Sequence, residues 1–166
     1  MTAAYDPTLW STYLAAQLSA AAALTGLIFV AVSINLGKIV ISRALVARCA
    51  KALGALMGVL AAASFALVPE QSRMSLGTEL ALSGLAVWAV VTWTHHIASH
   101  RNPYVSWVNR FVQTTLTQLA SIPMVIAGIS LALGRGGGLF WLVGGTLGSF
   151  VVALLDAWVL LIEIQR

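Results

Sequence analysis

Five long apolar segments, separated by short polar breaks, constrain the fold of this chain more than any other feature. They cover residues 11–36, 45–68, 76–98, 112–133 and 138–162. Each holds roughly the 20 mainly apolar residues that an α-helix needs to cross a bilayer. The breaks contain Pro69, Pro103 and the glycine-rich run 134–138. We therefore expect an all-α polytopic membrane protein, in which residues 1–166 form a single transmembrane domain of about five helices.

Composition excludes an ordinary soluble domain. Hydrophobic residues make up 60% of the chain and charged residues 8%, and the mean hydropathy is +0.93. Soluble domains are about 45–50% apolar and about 25% charged, so a soluble chain of this length could not bury so much apolar surface. The net charge of +4 comes from basic residues beside the spans. Because basic residues at that position orient a membrane protein, we expect no nucleic-acid partner.

The basic residues fall mostly on one side of the predicted membrane. If the spans alternate in direction, seven of the nine Lys and Arg residues share the side of residue 166. These are Lys38, Arg43, Arg48, Lys51, Arg101, Arg110 and Arg166. Only Arg73 and Arg135 fall on the other side. Since cytoplasmic loops are enriched in basic residues, we predict an N-out, C-in orientation. The first span has no Lys or Arg before it, which predicts that it is retained and not cleaved as a signal peptide.

The first and last spans carry a resemblance to other proteins. The stretches AAALTGLIFVAVSINLGKI and DAWVLLIEIQR, with LVPEQS, LGTEL and GGGLFWL between them, resemble a family of small bacterial integral membrane proteins. Some members of that family are labelled modulators of a membrane protease. The resemblance implies a multi-pass protein of the bacterial inner membrane and supplies no catalytic residue. In the family an asparagine precedes AWVLL, whereas this chain has Asp156 at that position.

Small residues repeat at helical spacing in three of the spans. The interval is seven residues in the first span and four in the second and fifth, so each set shares one helix face. The sets are Thr12, Ser19, Gly26 and Ser33; Gly54 and Gly58; and Gly144 and Gly148. In lipid, where apolar burial does not drive association, such faces let helices approach closely. We therefore predict helix packing, with the lining of a pore as the alternative. The packing could join helices of one chain, but we expect a homo-oligomer.

Asp156 is an acidic residue inside the fifth span. A carboxylate near the bilayer centre costs about 2.5–3.5 kcal/mol on insertion scales, so it needs a partner, water or a proton. Lys51 and Arg48, one helical turn apart near the same predicted depth, are the expected partners. Asn35 and Ser33 are expected to donate hydrogen bonds to the same carboxylate. This cluster would join the first, second and fifth spans; a proton or ion relay, and a wet interfacial position, are the alternatives.

The histidines and the single cysteine give little support for chemistry. His96 and His100 are four residues apart, a spacing at which two side chains of one helical face could share a divalent metal. Two ligands do not make a metal site, and no H-E-x-x-H pattern accompanies them. Cys49 is the only cysteine, which excludes an intrachain disulfide. The sequence has no nucleophile elbow, P-loop or dinucleotide motif, so we predict neither an enzyme nor a cofactor.

Two functions compete on this basis. The packing faces favour a non-enzymatic membrane protein of structural, scaffolding or regulatory type, which binds its own copies or another membrane protein. Polar residues of the predicted cytoplasmic half favour an oligomeric ion channel or small transporter. These residues are Asn35, Lys51, His96, Gln113 and Asp156. A third class, an intramembrane enzyme or redox cofactor binder, has no motif to support it.

Overall fold

The computed structural model describes residues 3–100 and 107–162, and every regular element within these ranges is helical. Five helices are long and apolar enough to span a membrane, which confirms the predicted fold class. The largest difference from the predicted bounds is at the fourth span, predicted to start at residue 112 and starting at Trp107. The helices are α1 (Ser11–Ile34), α2 (Leu36–Ile41), α3 (Arg43–Ala66), α4 (Arg73–His100), α5 (Trp107–Leu133) and α6 (Phe140–Leu161).

A short helix, α2, separates the first two spans and is not predicted by the continuous apolar pattern. It begins after Asn35, which has φ −109° and ψ 17° and so interrupts the helical backbone. Ser42 then adopts an extended conformation and caps α3, accepting a hydrogen bond from Leu45 N at 3.5 Å. Ile39 packs against Cys49 and is buried, while the rest of α2 is exposed. α2 therefore lies at one end of the bundle and contacts it through Ile39.

The central helix of the bundle is α3. It packs against α1, α4 and α6, while α4 and α5 form the most extensive pair. In the apolar stretch of α3, 56% of residues are buried, against 17% in α1. Small buried side chains such as Ala52, Ala55, Ala62 and Ala63 allow neighbours on several sides of α3. α1 packs mainly on α3 and α6 and leaves most of its surface facing outward.

Polar contacts show that α1 and α6 run in the same direction. Tyr13 Oη, near the start of α1, lies 2.9 Å from Thr146 Oγ1, near the start of α6. At the other end, Asn35 Nδ2 donates to Leu160 O at 2.9 Å. The basic end of the bundle is the end at which α1, α4 and α6 finish and α3 and α5 begin. Its basic residues in the described ranges include Lys38, Arg43, Arg48 and Lys51.

Pro123 shapes the contact between α5 and α6. It lies inside α5 and has no N–H for the carbonyl of Leu119, four residues earlier. α6 approaches this carbonyl closely, because a Cβ built on Gly148 would lie 2.9 Å from Leu119 O. Ser149 Oγ donates to the next carbonyl, Ala120 O, at 3.3 Å. Small residues of α6 thus lie against the backbone at the point where the proline weakens its hydrogen bonding.

At the end opposite the basic end, the turn between α5 and α6 contacts the N-terminal 3-10 turn. Gly137 and Gly138 have φ values of 106° and 52° in this turn, a region that side chains disfavour. Gly137 N donates to Tyr5 Oη at 3.1 Å, and Leu139 N donates to Ala4 O at 2.8 Å. The 3-10 turn Ala3–Tyr5 is therefore bound to the α5–α6 turn.

Candidate functional site

The candidate site lies at the basic end, where α6 carries an aspartate into the bundle. The Asp156 side chain is 3% exposed. Ser149 and Val152, seven and four residues earlier, are also buried, so the helical repeat directs Asp156 inward. Its neighbours Leu155 and Trp158 are exposed on the outer side of the same helix. α6 thus keeps its carboxylate inside the bundle and presents apolar side chains to the lipid.

Two cations of α3 contact this carboxylate. Lys51 Nζ lies 2.9 Å from Asp156 Oδ2, and Arg48 Nη1 donates to Asp156 Oδ1 at 3.3 Å. The three-residue interval puts both cations on one face of α3. Because side chains lean toward the N-terminus of their helix, both reach toward the basic end. Pairing removes the large penalty of an isolated buried charge.

Asn35 and Ser33 do not donate to Asp156, although the sequence predicts that they do. Asn35 is buried at the end of α1, and its amide donates to Leu160 O in the last turn of α6. Helix ends leave such carbonyls without intrahelical partners, which explains why the amide binds there. Ser33 is exposed and donates to Phe29 O of its own helix at 2.8 Å. The ion pairs therefore join only α3 and α6, and Asn35 adds a separate link from α1.

A recess of about 340 Å³ opens beside the ion pairs, between α5 and α6. Its polar lining consists of Arg48, Lys51, Gln113, Thr117 and Asp156, and six apolar side chains of α5 and α6 complete it. Among the apolar side chains, Val112, Leu155 and Trp158 are exposed, so the wall continues into the outer apolar surface. Among the described residues that line the recess, two cations and one carboxylate leave a formal charge of +1.

The residues expected to form a conduction path are only partly brought together. Lys51, Gln113 and Asp156 line the recess. Asn35 lies at the contact of α1 with α6, and His96 is exposed on α4.

Of the two histidines whose side chains the structure describes, His95 is buried and His96 is exposed. His95 is 7% exposed, and its Nε2 lies 3.0 Å from Thr114 Oγ1 of α5. The side chain of His100 lies outside the described residues, so the His96–His100 pair stays a prediction. Among the side chains that the structure describes, no three of His, Cys, Asp or Glu are grouped as metal ligands. A partly buried polar partner such as Thr114 has no sequence signal beyond its place in a facing span.

The glycines predicted to pack helices divide into two groups. A Cβ on Gly54 would lie 3.3 Å from Val90 of α4, and one on Gly58 would lie 3.0 Å from Val87 of the same helix. Gly148 contacts α5 as described above. Gly26 and Gly144, by contrast, are exposed. A Cβ on Gly26 would meet nothing within 4 Å, and one on Gly144 would meet only the Pro123 side chain at 4.0 Å.

The closest approach between helices is at glycines that the G-x-x-x-G pattern misses. A Cβ on Gly77 of α4 would lie 2.6 Å from Ala132 N of α5, and one on Gly128 would collide with the backbone of Ala81. Gly77 and Ala81 are four residues apart, and so are Gly128 and Ala132. A search for any two small residues at that interval would have found both pairs.

The outward face of α1 is a continuous line of small and short side chains, here named the α1 seam. It consists of Thr12, Ala16, Ser19, Ala23, Gly26, Val30 and Ser33, all of them exposed. The intervals alternate between four and three residues, so the seam covers an arc about 100° wide. It lies opposite the buried face formed by Leu14, Ala21 and Ile28. The sequence predicts the repeat of Thr12, Ser19, Gly26 and Ser33, but not that this face points away from the bundle.

Two hydroxyls of the seam are hydrogen-bonded within α1. Ser19 Oγ donates to Ala15 O at 2.9 Å, and Ser33 Oγ donates to Phe29 O. Elsewhere on the exposed surface, large side chains such as Leu82, Trp93 and Leu147 are common. The seam therefore differs from the rest of the surface in how closely another helix could approach it.

Comparison of the chain with family models, with curated proteins and with solved structures gives no match. The resemblance to small bacterial membrane proteins stays a prediction.

Proposed function

We propose that this integral membrane protein has a structural, scaffolding or regulatory role without catalysis, and that it acts by binding another helix through the α1 seam. The observation that carries the proposal is the position of the seam. Small residues cover the outward face of the span in which only 17% of the apolar stretch is buried. In lipid, helices associate where small residues allow their backbones to approach.

The partner that fits this face best is the α1 seam of a second copy. Two copies inserted in the same direction place their α1 helices parallel, so a two-fold axis brings each seam residue opposite its own equivalent. The alternation of four and three residues matches the heptad repeat of a left-handed crossing of about 20°. Gly26, where a Cβ has open space around it, would be the point of closest approach.

A channel or small transporter is the second candidate, and the polar recess is the observation that favours it. Both oxygens of Asp156 contact cations of the same chain, and the apolar wall of the recess continues into the outer surface. These contacts support a paired, structural carboxylate more than a conducting one. Ion flux into liposomes that the wild type supports and that an Asp156→Asn variant with the same helical content does not support would favour the channel over the scaffold.

Disulfide cross-linking in membranes tests the dimer. In a Cys49→Ala background, Ala23→Cys places a thiol on the seam, and Ala20→Cys places one on an exposed position to its side. Because a disulfide needs Cα atoms within about 7 Å, we expect a covalent dimer from Ala23→Cys after mild oxidation. Ala20→Cys, about 90° from the seam centre, should remain monomeric.

A bulky side chain on the seam provides a second test of the dimer. Gly26→Leu should abolish the cross-link of Ala23→Cys without unfolding the monomer, because nothing lies within 4 Å of a Cβ at that position. Ala20→Leu is the matched control and should leave the cross-link intact. Equal cross-linking at residues 20 and 23, or none at residue 23, would contradict the seam dimer.

A further inference from the structure

We propose that the recess beside Asp156 binds the phosphate group of an anionic phospholipid, with its acyl chains lying against the apolar wall formed by α5 and α6. This proposal does not depend on the α1 seam, which lies on a different helix. It rests on the surplus of positive charge and of hydrogen-bond donors in the recess, and on the continuity of its wall with the lipid-facing surface.

The charge of the recess is the first observation. Arg48, Lys51 and Asp156 leave one positive charge without a counterion among the described residues that line it. Two cations that share one carboxylate next to lipid still carry a net charge, which is costly there, and an anion would lower that cost. A phosphodiester carries one negative charge, which matches the surplus. A zwitterionic lipid brings its own cation and would neutralise the recess less well.

The donors of the two cations are the second observation. A guanidinium has five N–H donors and an ammonium has three. Asp156 contacts Arg48 at Nη1 only and Lys51 at Nζ, so both cations have further donors for a ligand. The Lys51 side chain is 6% exposed and lines the recess, so its remaining donors have little water to bind. The Arg48 side chain is 23% exposed and is open to a ligand. Guanidinium and phosphate are complementary because two parallel N–H groups match two oxygens.

Depth and direction are the third observation. Arg48 lies five residues after the start of α3 at Arg43, which is about 8 Å along the helix axis. Its side chain leans back toward the basic end, as side chains of a helix do. A long basic side chain in this position reaches the headgroup level while its stem stays in the apolar layer.

The wall of the recess is the fourth observation. Val112 of α5 and Leu155 and Trp158 of α6 are exposed beside the cations. An exposed tryptophan near the end of a span is typical of the headgroup region. The volume of about 340 Å³ is at the lower end of the range of small-molecule sites. The recess therefore suits a headgroup, while the acyl chains would remain outside it on the surface.

Thermal unfolding of the purified full chain in a neutral detergent tests this site. We expect phosphatidylglycerol to raise the Tm of the wild type more than phosphatidylcholine with the same acyl chains does. Arg48→Gln should weaken the apparent affinity for phosphatidylglycerol about tenfold, the effect of losing a charge-assisted hydrogen bond. Arg43→Gln removes the same charge from an exposed position of α3 outside the recess and should keep the wild-type affinity.

A second variant separates binding from folding. Val159→Trp fills the recess from its apolar side and keeps all three charged residues. It should lose the response to phosphatidylglycerol while its lipid-free Tm stays close to that of the wild type. Equal responses to the two lipids, or equal losses in Arg43→Gln and Arg48→Gln, would overturn the site. If inorganic phosphate alone reproduced the shift, the ligand would be a free anion and the lipid proposal would be wrong.

Discussion

At the scale of single residues, the carboxylate of Asp156 in α6 is the side chain whose replacement should lower the free energy of unfolding most. Asp156→Asn keeps the shape of the side chain but leaves Lys51 and Arg48 without the carboxylate that they contact. Breaking one partner of a buried ion pair costs about 3 kcal/mol or more. We therefore expect Asp156→Asn to lower the free energy of unfolding by about that amount, measured by SDS-induced unfolding in mixed micelles.

A matched control and a second substitution test whether the loss of stability comes from the ion pairs. Asp6→Asn is the same chemical change at a partly exposed cap, and asparagine caps as well as aspartate, so it should leave stability unchanged. Lys51→Met together with Asp156→Asn should recover part of the loss, because one buried cation is removed as well. If Asp156→Asn matched the wild type, the ion pairs would contribute nothing to the fold.

The contact of a side chain can be predicted from the sequence when it needs a partner of opposite charge. It cannot be predicted when the partner is a backbone carbonyl. Asp156 has few cations at its predicted depth, and both Lys51 and Arg48 contact it in the structure. Asn35 binds the carbonyl of Leu160, and a carbonyl has no residue-specific signal in a sequence. The same limit applies to His95, whose contact with Thr114 depends on how α4 faces α5.

At the scale of helices, the contact between α4 and α5 sets the closest packing in the bundle. A Cβ on Gly128 would meet the backbone of Ala81 and the carbonyl of Gly77, neither of which can move aside as a side chain can. Overpacking of this kind costs about 1–3 kcal/mol. Gly128→Ala should therefore destabilise the protein by about 2 kcal/mol, measured as a decrease in the free energy of unfolding.

Gly144→Ala is the matched control for this substitution. It makes the same change in the exposed part of α6, where the nearest atom to a Cβ is 4.0 Å away. Since alanine favours a helix over glycine by about 1 kcal/mol, this variant should be as stable as the wild type or more so. A larger loss in Gly144→Ala than in Gly128→Ala would show that the α4–α5 contact is not the tight one.

The extent of the helices is predictable from the sequence, while the way their faces pair is only partly so. Length and hydropathy set the spans, because the bilayer thickness fixes how many apolar residues a helix needs. In α1, however, both faces repeat at seven residues: Leu14, Ala21 and Ile28 on one, and the seam on the other. Hydropathy cannot separate a face that meets helices from one that meets lipid, because lipid is as apolar as a buried side chain.

At the scale of the whole molecule, the uneven distribution of basic residues predicts how the protein crosses the membrane. The excess at the basic end predicts that this end is cytoplasmic. Gly37→Cys places a thiol at the basic end, and Val68→Cys places one at the opposite end; both positions are exposed. In a Cys49→Ala background, a membrane-impermeant maleimide should label Val68→Cys in intact cells and Gly37→Cys only after permeabilisation. The reverse pattern would place the basic end outside.

The contacts between α1 and α6 have a consequence for the order in which the protein assembles. Tyr13 and Asn35 bind residues that follow them by 133 and 125 positions, near the two ends of α6. During synthesis, α1 therefore enters the bilayer long before its polar partners on α6 exist. Until then α1 has only the seam and its apolar surface with which to contact another helix, such as α1 of a neighbouring nascent chain. If two copies pair through the α1 seam as proposed, this pairing could precede completion of either bundle, and the arrival of α6 would then fix each α1 in place.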